Sequence, residues 1–129
     1  MEAMAFLYVA TGGAVGSMIR YAMSVLLSKI DTGTFPLPIF VVNITGSFLM
    51  GVWIGVMALM LPGRAKELHM LMAIGVLGGY TTFSTFSLES YMLIEKGLWA
   101  QAALYIGGSV VFSIAALVAG MWLMRSING

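Results

Sequence analysis

The 129-residue chain has no cysteine, three prolines, one histidine and only 9% charged residues. Without cysteine there is neither a disulfide framework nor a thiolate metal site. His69 has no neighbouring nucleophile and acid at triad or metal spacing, and no phosphate-cradling GxxxxGK occurs, so the sequence offers no basis for an enzyme or an ATP-driven pump. The net charge is +1, and no lysine or arginine cluster is present to track a phosphate backbone, which excludes nucleic acid as a partner.

What is abundant is apolar surface. Hydrophobic residues make up 60% of the chain, and the mean hydropathy is +1.01. That lies far outside the composition of a soluble domain, and the sequence therefore reads as an integral membrane protein. At about 20 apolar residues per span, the length accommodates four helices joined by short loops in one domain, with no soluble catalytic unit. The expected spans are 3–28, 39–61, 70–94 and 98–124. Met1 and Glu2 lack the basic region of a cleavable signal peptide, so the first span is expected to stay. Pro36 and Pro38 suit the first turn of the second helix, and Pro62 with Gly63 is expected to end it. A polar loop with Arg64, Lys66, Glu67 and His69 is expected next. Trp99, Trp122 and Arg125 mark the interfacial ends of the last span.

Small residues recur every four positions. Gly12, Gly16 and Arg20 form one such row, and Ser47, Gly51 and Gly55 a second; Gly108, Phe112, Ala116 and Gly120 form a third. Rows of this kind let helix backbones approach closely in lipid. Arg20 lies on the first face and must reach an interface, a partner or a water-filled vestibule, because a charge at the bilayer centre is costly. Asn43 is the lone amide of the second span, serving either as interhelical glue or as a ligand group.

The stretch at 78–87, GGYTTFSTFS, is the wrong chemistry for lipid. Adjacent glycines and five hydroxyl side chains predict a break in the third helix at 78–82. Such a break survives at membrane depth only against protein or water. Beyond it, Phe83 and Phe86 share a face, flanked by hydroxyls that include Ser84 and Thr85, and Glu89 continues the polar side. Tyr105, Ser109 and Ser113 draw a polar stripe along the fourth span. Phenylalanine edges carry partial positive charge, and hydroxyls and an amide donate hydrogen bonds, so a path lined this way suits a small hard anion.

Positive charge is nearly balanced across the membrane. Arg64, Lys66 and Arg125 fall on one side, and Lys29 and Lys96, with Arg20 within reach, on the other. The positive-inside rule then gives almost no bias, which predicts dual topology and an antiparallel homodimer. Two rivals share parts of this pattern: a small dual-topology multidrug or cation exporter, and a purely structural four-helix subunit. The exporter class leans on an acidic residue in the first span, where this chain has Arg20. The structural reading accounts for the glycines and leaves the hydroxyls beside two phenylalanines unexplained.

GGYTTFSTFSLE at 78–89, GxxxGxxxRY at 12–21 and VNxxG at 42–46 together resemble the Fluc family of fluoride channels, also called CrcB proteins, over essentially the whole chain. The resemblance implies an all-α membrane protein with four transmembrane helices and a broken third helix, assembled as an antiparallel homodimer with two pores in the bacterial cytoplasmic (inner) membrane. It implies a passive, fluoride-selective channel that exports fluoride. In it Phe83 and Phe86 would contact fluoride, and Asn43, as the pore asparagine, with Ser84, Thr85, Tyr105, Ser109 and Ser113 would line its pathway. Arg20 and Glu89 would stand at the vestibule. The Gly78 and Thr81 carbonyls would hold a structural sodium ion at the dimer interface.

Overall fold

The computed structural model describes residues 2–59 and 62–128. Among them four helices are long and apolar enough to cross a membrane, at Ala3–Leu27, Leu37–Met57, Ala65–Glu95 and Trp99–Ile127, and no strand is present. The first, second and fourth are the single helices α1 (Glu2–Leu27), α2 (Leu37–Met57) and α6 (Trp99–Asn128). The third is composite. It runs through α3 (Pro62–His69), a π-helical stretch (Met70–Leu77) and α4 (Gly78–Tyr80), breaks, and resumes as α5 (Phe83–Glu95).

The ends follow local chemistry. Pro36 caps α2 and Pro38 occupies its first turn, where a missing N–H costs nothing. At the end of α5, Gly97 takes φ 76°, its N–H bonds the Ile94 carbonyl at 2.9 Å, and the Leu98 N–H bonds the Leu93 carbonyl at 2.9 Å. This is a Schellman turn, and the positive φ explains the glycine. Leu98 then rests on the cluster that contains Leu93, so the turn is also anchored by apolar contact.

Three expectations change. The polar stretch before the third span is helix α3, so that span begins at Ala65 instead of 70. Pro62 starts it instead of ending α2, and Lys66 and Glu67 are good helix formers. Its side chains are tied to the other spans, since the Tyr8 hydroxyl donates to Glu67 Oε2 at 3.3 Å and Trp53 Nε1–H donates to His69 Nδ1 at 3.3 Å. The fourth span extends past 124, to Ile127. The expected end of the second span at 61 and the side chain of Arg64 lie outside the described residues.

The third change concerns the break. Gly78 is helical (φ −64°, ψ −35°), and the extended residues are Thr81 (φ −82°, ψ 158°) and Thr82 (φ −150°, ψ 122°) alone. The double glycine does not unwind the chain. A Cβ on Gly79 would come within 2.7 Å of the Gly13 carbonyl oxygen, so what this glycine supplies is contact with α1.

The rows of small residues act as expected, as backbone docking faces. A Cβ on Gly12 would collide with the Leu71 carbonyl oxygen, and one on Gly16 with the Val76 carbonyl oxygen, which seats α1 directly on the π-helical stretch. Gly51 meets the Leu117 carbonyl, and Gly120 the Phe48 carbonyl, which seats α2 on α6. Phe6, Met18, Val111 and Trp122 remain exposed on the outer surface. In a bilayer such a surface faces lipid without penalty, which is why association here depends on close van der Waals fit.

Candidate functional site

The row that docks α1 carries its next member, Arg20, to the break. There Nη1–H donates to the Thr81 carbonyl at 3.4 Å. From α2, Asn43 reaches the neighbouring residue with both ends of its amide: Nδ2–H donates to the Thr82 carbonyl at 3.1 Å, and Oδ1 accepts from the Thr82 N–H at 2.9 Å. The approach depends on Gly46, whose Cβ would strike the Thr81 methyl group and come within 3.0 Å of the Tyr80 ring. VNxxG is thus a clamp and the space that lets it close. Two extended residues at membrane depth have their polar groups met by side chains from two other spans.

Thr82 also begins the next helix. Its Oγ1 accepts the Thr85 N–H at 3.2 Å as N-cap of α5, and donates to Thr85 Oγ1 at 3.3 Å. Its separation from Ser84 Oγ is 3.4 Å. The hydroxyls of Ser84 and Thr85 are therefore gathered around the cap.

Beside the break lies a cavity of about 320 Å³, lined by Asn43 and Ser47 of α2, Thr81, Thr82, Phe83 and Phe86 of the third span, and a strip of α6 with Ser109 and Ser113. Several hydroxyls within the helices bond back to their own backbone: Thr45 to Val41, Ser87 to Phe83, Ser90 to Phe86 and Ser126 to Trp122, at 2.7 to 2.9 Å. Ser109 Oγ and Ser113 Oγ are buried and have no partner. Leaving a buried hydroxyl unpaired costs about 1 to 3 kcal/mol, so two of them, one turn apart on a cavity wall, leave donors open toward whatever occupies that cavity.

The rings divide the work. Phe83 is 76% exposed, whereas Phe86 is 8% exposed and shares the apolar cluster with Ile39, Leu93, Ala102 and the fully buried Tyr105. Their centroids form a chain, 5.5 Å from Phe83 to Phe86 and 5.2 Å from Phe86 to Tyr105. Tyr105 does not line the cavity; its hydroxyl donates to Glu89 Oε1 at 2.8 Å, behind Phe86. Glu89 thus has a tyrosine partner.

Of the residues singled out from sequence, Asn43, Phe83, Phe86, Thr81, Ser109 and Ser113 meet at one cavity, and Arg20 reaches its backbone. Ser84, Thr85, Tyr105, Glu89 and Gly78 are not on its wall. Ser47 and the side chain of Thr82 were not singled out as site residues. Ser47 stands one turn after Asn43, and that spacing of four was the available signal.

Among the described residues no cluster of His, Cys, Asp or Glu offers a metal site. The main chain offers a different donor set. The Thr82 N–H, which would close the ladder onto the Gly78 carbonyl, goes to Asn43 instead, and the Thr81 carbonyl keeps a second lone pair beside Arg20. Carbonyl oxygens are donors of the kind hard cations take, but one chain supplies too few for a full shell, and the Arg20 guanidinium already stands on the Thr81 oxygen.

Comparison with known proteins gives the family. A family model described as CrcB-like protein, Camphor Resistance (CrcB), matches residues 7–121. The fluoride-specific ion channel FluC of Nitrobacter winogradskyi is 45% identical over 123 residues, covering 94% of this chain and 95% of its own. The FluC of a Caulobacter strain is 42% identical over 121 residues, covering 94% of each chain, and that of Agrobacterium fabrum is 44% identical over 119, covering 92% and 94%.

Proposed function

The chain belongs to the CrcB-like family, and from that premise we propose that it is a passive, fluoride-selective channel of the bacterial inner membrane, exporting fluoride from the cytoplasm. The observation that carries the reading is the pair of partnerless hydroxyls, Ser109 and Ser113, on a cavity shared with Phe83, Phe86 and Asn43. Fluoride is small and strongly hydrated, so a path must replace its water with donors. The hydroxyl hydrogens can do so directly, and the positive edges of the two rings add attraction without a fixed charge that would hold the ion too tightly. Ser84 and Thr85, gathered at the Thr82 cap, would continue the hydroxyl path beyond the cavity, and Arg20 would bias ion entry beside the break; Tyr105 and Glu89, bonded to each other off the cavity wall, would support Phe86 from behind.

The working unit is an antiparallel homodimer of two four-span domains, with two pores. Phe83 is the point of support: lipid could cover a ring that is 76% exposed, but a ring that lines an ion path must be shielded from lipid, and a second copy inverted across the membrane would do that. The near-equal charge count supports the inversion. Gly78 and Thr81 of both copies would hold a structural sodium ion on the two-fold axis. When bound, that ion would supply positive charge near the anion path.

Three experiments test this reading. In liposomes under matched gradients, fluoride efflux should be fast and chloride efflux far slower; equal rates would refute selectivity. A single cysteine introduced near the α2–α3 connection of this cysteine-free chain should label from both sides of the membrane, and one-sided labelling would end the dual-topology reading. Sodium depletion should lower dimer stability and fluoride flux, with recovery on addition, while the reversal potential ignores a sodium gradient.

A further inference from the structure

We propose that Asn43 is the residue that breaks the third span, a positioning residue that holds Thr81 and Thr82 extended by standing in for the helix's own hydrogen-bond ladder. The break has no intrinsic cause strong enough. There is no proline at 78–82, and Gly78 is helical with an ordinary φ of −64°. Thr81 still closes the ladder, its N–H bonding the Leu77 carbonyl at 3.1 Å. The first residue to leave is Thr82, and its N–H leaves to reach Asn43 Oδ1 at 2.9 Å while its carbonyl accepts Asn43 Nδ2–H at 3.1 Å. A side-chain amide can both accept and donate like a peptide group, so it replaces the lost helical acceptor of the Thr82 N–H and adds a donor to the Thr82 carbonyl, which as N-cap already begins the α5 ladder. Threonine at 82 favours the exchange, because a β-branched residue takes extended backbone easily and its hydroxyl then caps α5.

Two consequences follow. Asn43 spends its oxygen and one N–H on the backbone, leaving one N–H for anything in the cavity. It also diverts the donor that would otherwise occupy the Gly78 carbonyl, so this one side chain decides whether that oxygen is free. The inference does not depend on which ion passes or on a bound sodium ion.

The test is isotope-edited infrared spectroscopy with a ¹³C=¹⁸O label at Gly78, with Leu117 inside α6 as the helical reference. In the parent protein, held in sodium-free buffer so that no cation occupies the carbonyl, the Gly78 band should lie above the reference, as a carbonyl without an N–H donor does; coincidence of the two bands overturns the proposal. In Asn43→Leu, similar in size but without polar atoms, the Gly78 band should drop to the reference as Thr82 returns to the ladder. Fluoride flux should then be lost, because Phe83 and Phe86 turn with the re-formed helix. Asn43→Asp keeps an acceptor for the Thr82 N–H, so the Gly78 band should stay at the parent position even though a carboxylate in the cavity abolishes flux. A purely ligand-like Asn43 predicts unchanged bands in both variants, and a band that drops in Asn43→Asp overturns the clamp equally.

Discussion

Phe83→Ile should fold and dimerise like the parent and carry fluoride at least about tenfold more slowly, the factor that corresponds to about 1.4 kcal/mol at the barrier. An isoleucine keeps apolar bulk and loses the positively polarised ring edge, an interaction of that order for aromatic contacts. Phe83 is the cleaner of the two rings for the purpose, since it is 76% exposed and buries little within its own chain. Phe86→Ile should also reduce flux, but Phe86 touches Phe83 and Tyr105 at 5.5 and 5.2 Å and sits in the apolar cluster. Its replacement should cost about 1 to 3 kcal/mol of stability through altered core shape. Thermal unfolding of the purified protein, read beside liposome flux, separates the two effects. If Phe83→Ile assembles and conducts at the parent rate, the ring edge is not what the pathway uses.

Gly16→Val should abolish assembly of the chain. Any Cβ there would occupy the position of the Val76 carbonyl oxygen and come within 2.8 Å of the Tyr80 backbone nitrogen, and backbone atoms cannot swing aside as a flexible side chain would. Separating α1 from the π-helical stretch also withdraws Arg20 from the Thr81 carbonyl, so the damage reaches the break. Gly13→Ala, three residues away, meets nothing within 4 Å in the same chain. It should be tolerated, and it removes a helical glycine that costs about 1 kcal/mol relative to alanine. Size-exclusion chromatography after detergent extraction, with folded yield for both variants, distinguishes a position-specific collision from a general preference for glycine. A folded, conducting Gly16→Val would refute the close approach.

Together the two substitutions show the unequal reach of sequence patterns in this protein. Composition determined the membrane class and the number of spans, because about 20 consecutive apolar residues have few other uses. The spacing of four determined which faces touch: Gly12 and Gly16 do dock α1, and Gly51 and Gly120 do join α2 to α6, since residues four apart share a helix face whatever lies opposite. Phe83 with Phe86, and Ser109 with Ser113, were legible as one face each for the same reason, whereas their joining in one lining followed only from the family resemblance. Tertiary structure decided what spacing along one helix cannot express. The third span breaks at Thr81 and Thr82, one turn from the glycines that drew attention, because the acceptor that competes for the Thr82 N–H comes from Asn43, 39 positions away. Propensity registers only local costs, and here the deciding hydrogen bond is non-local. The same holds for Tyr105, which belongs to the polar stripe by register yet turns its hydroxyl to Glu89 behind Phe86, and for Ser47, which joins the cavity only because α6 lies across it. Which hydroxyls stay unpaired is likewise not legible in the sequence: each could bond its own backbone one turn back, and the folded structure shows that Ser109 and Ser113 do not.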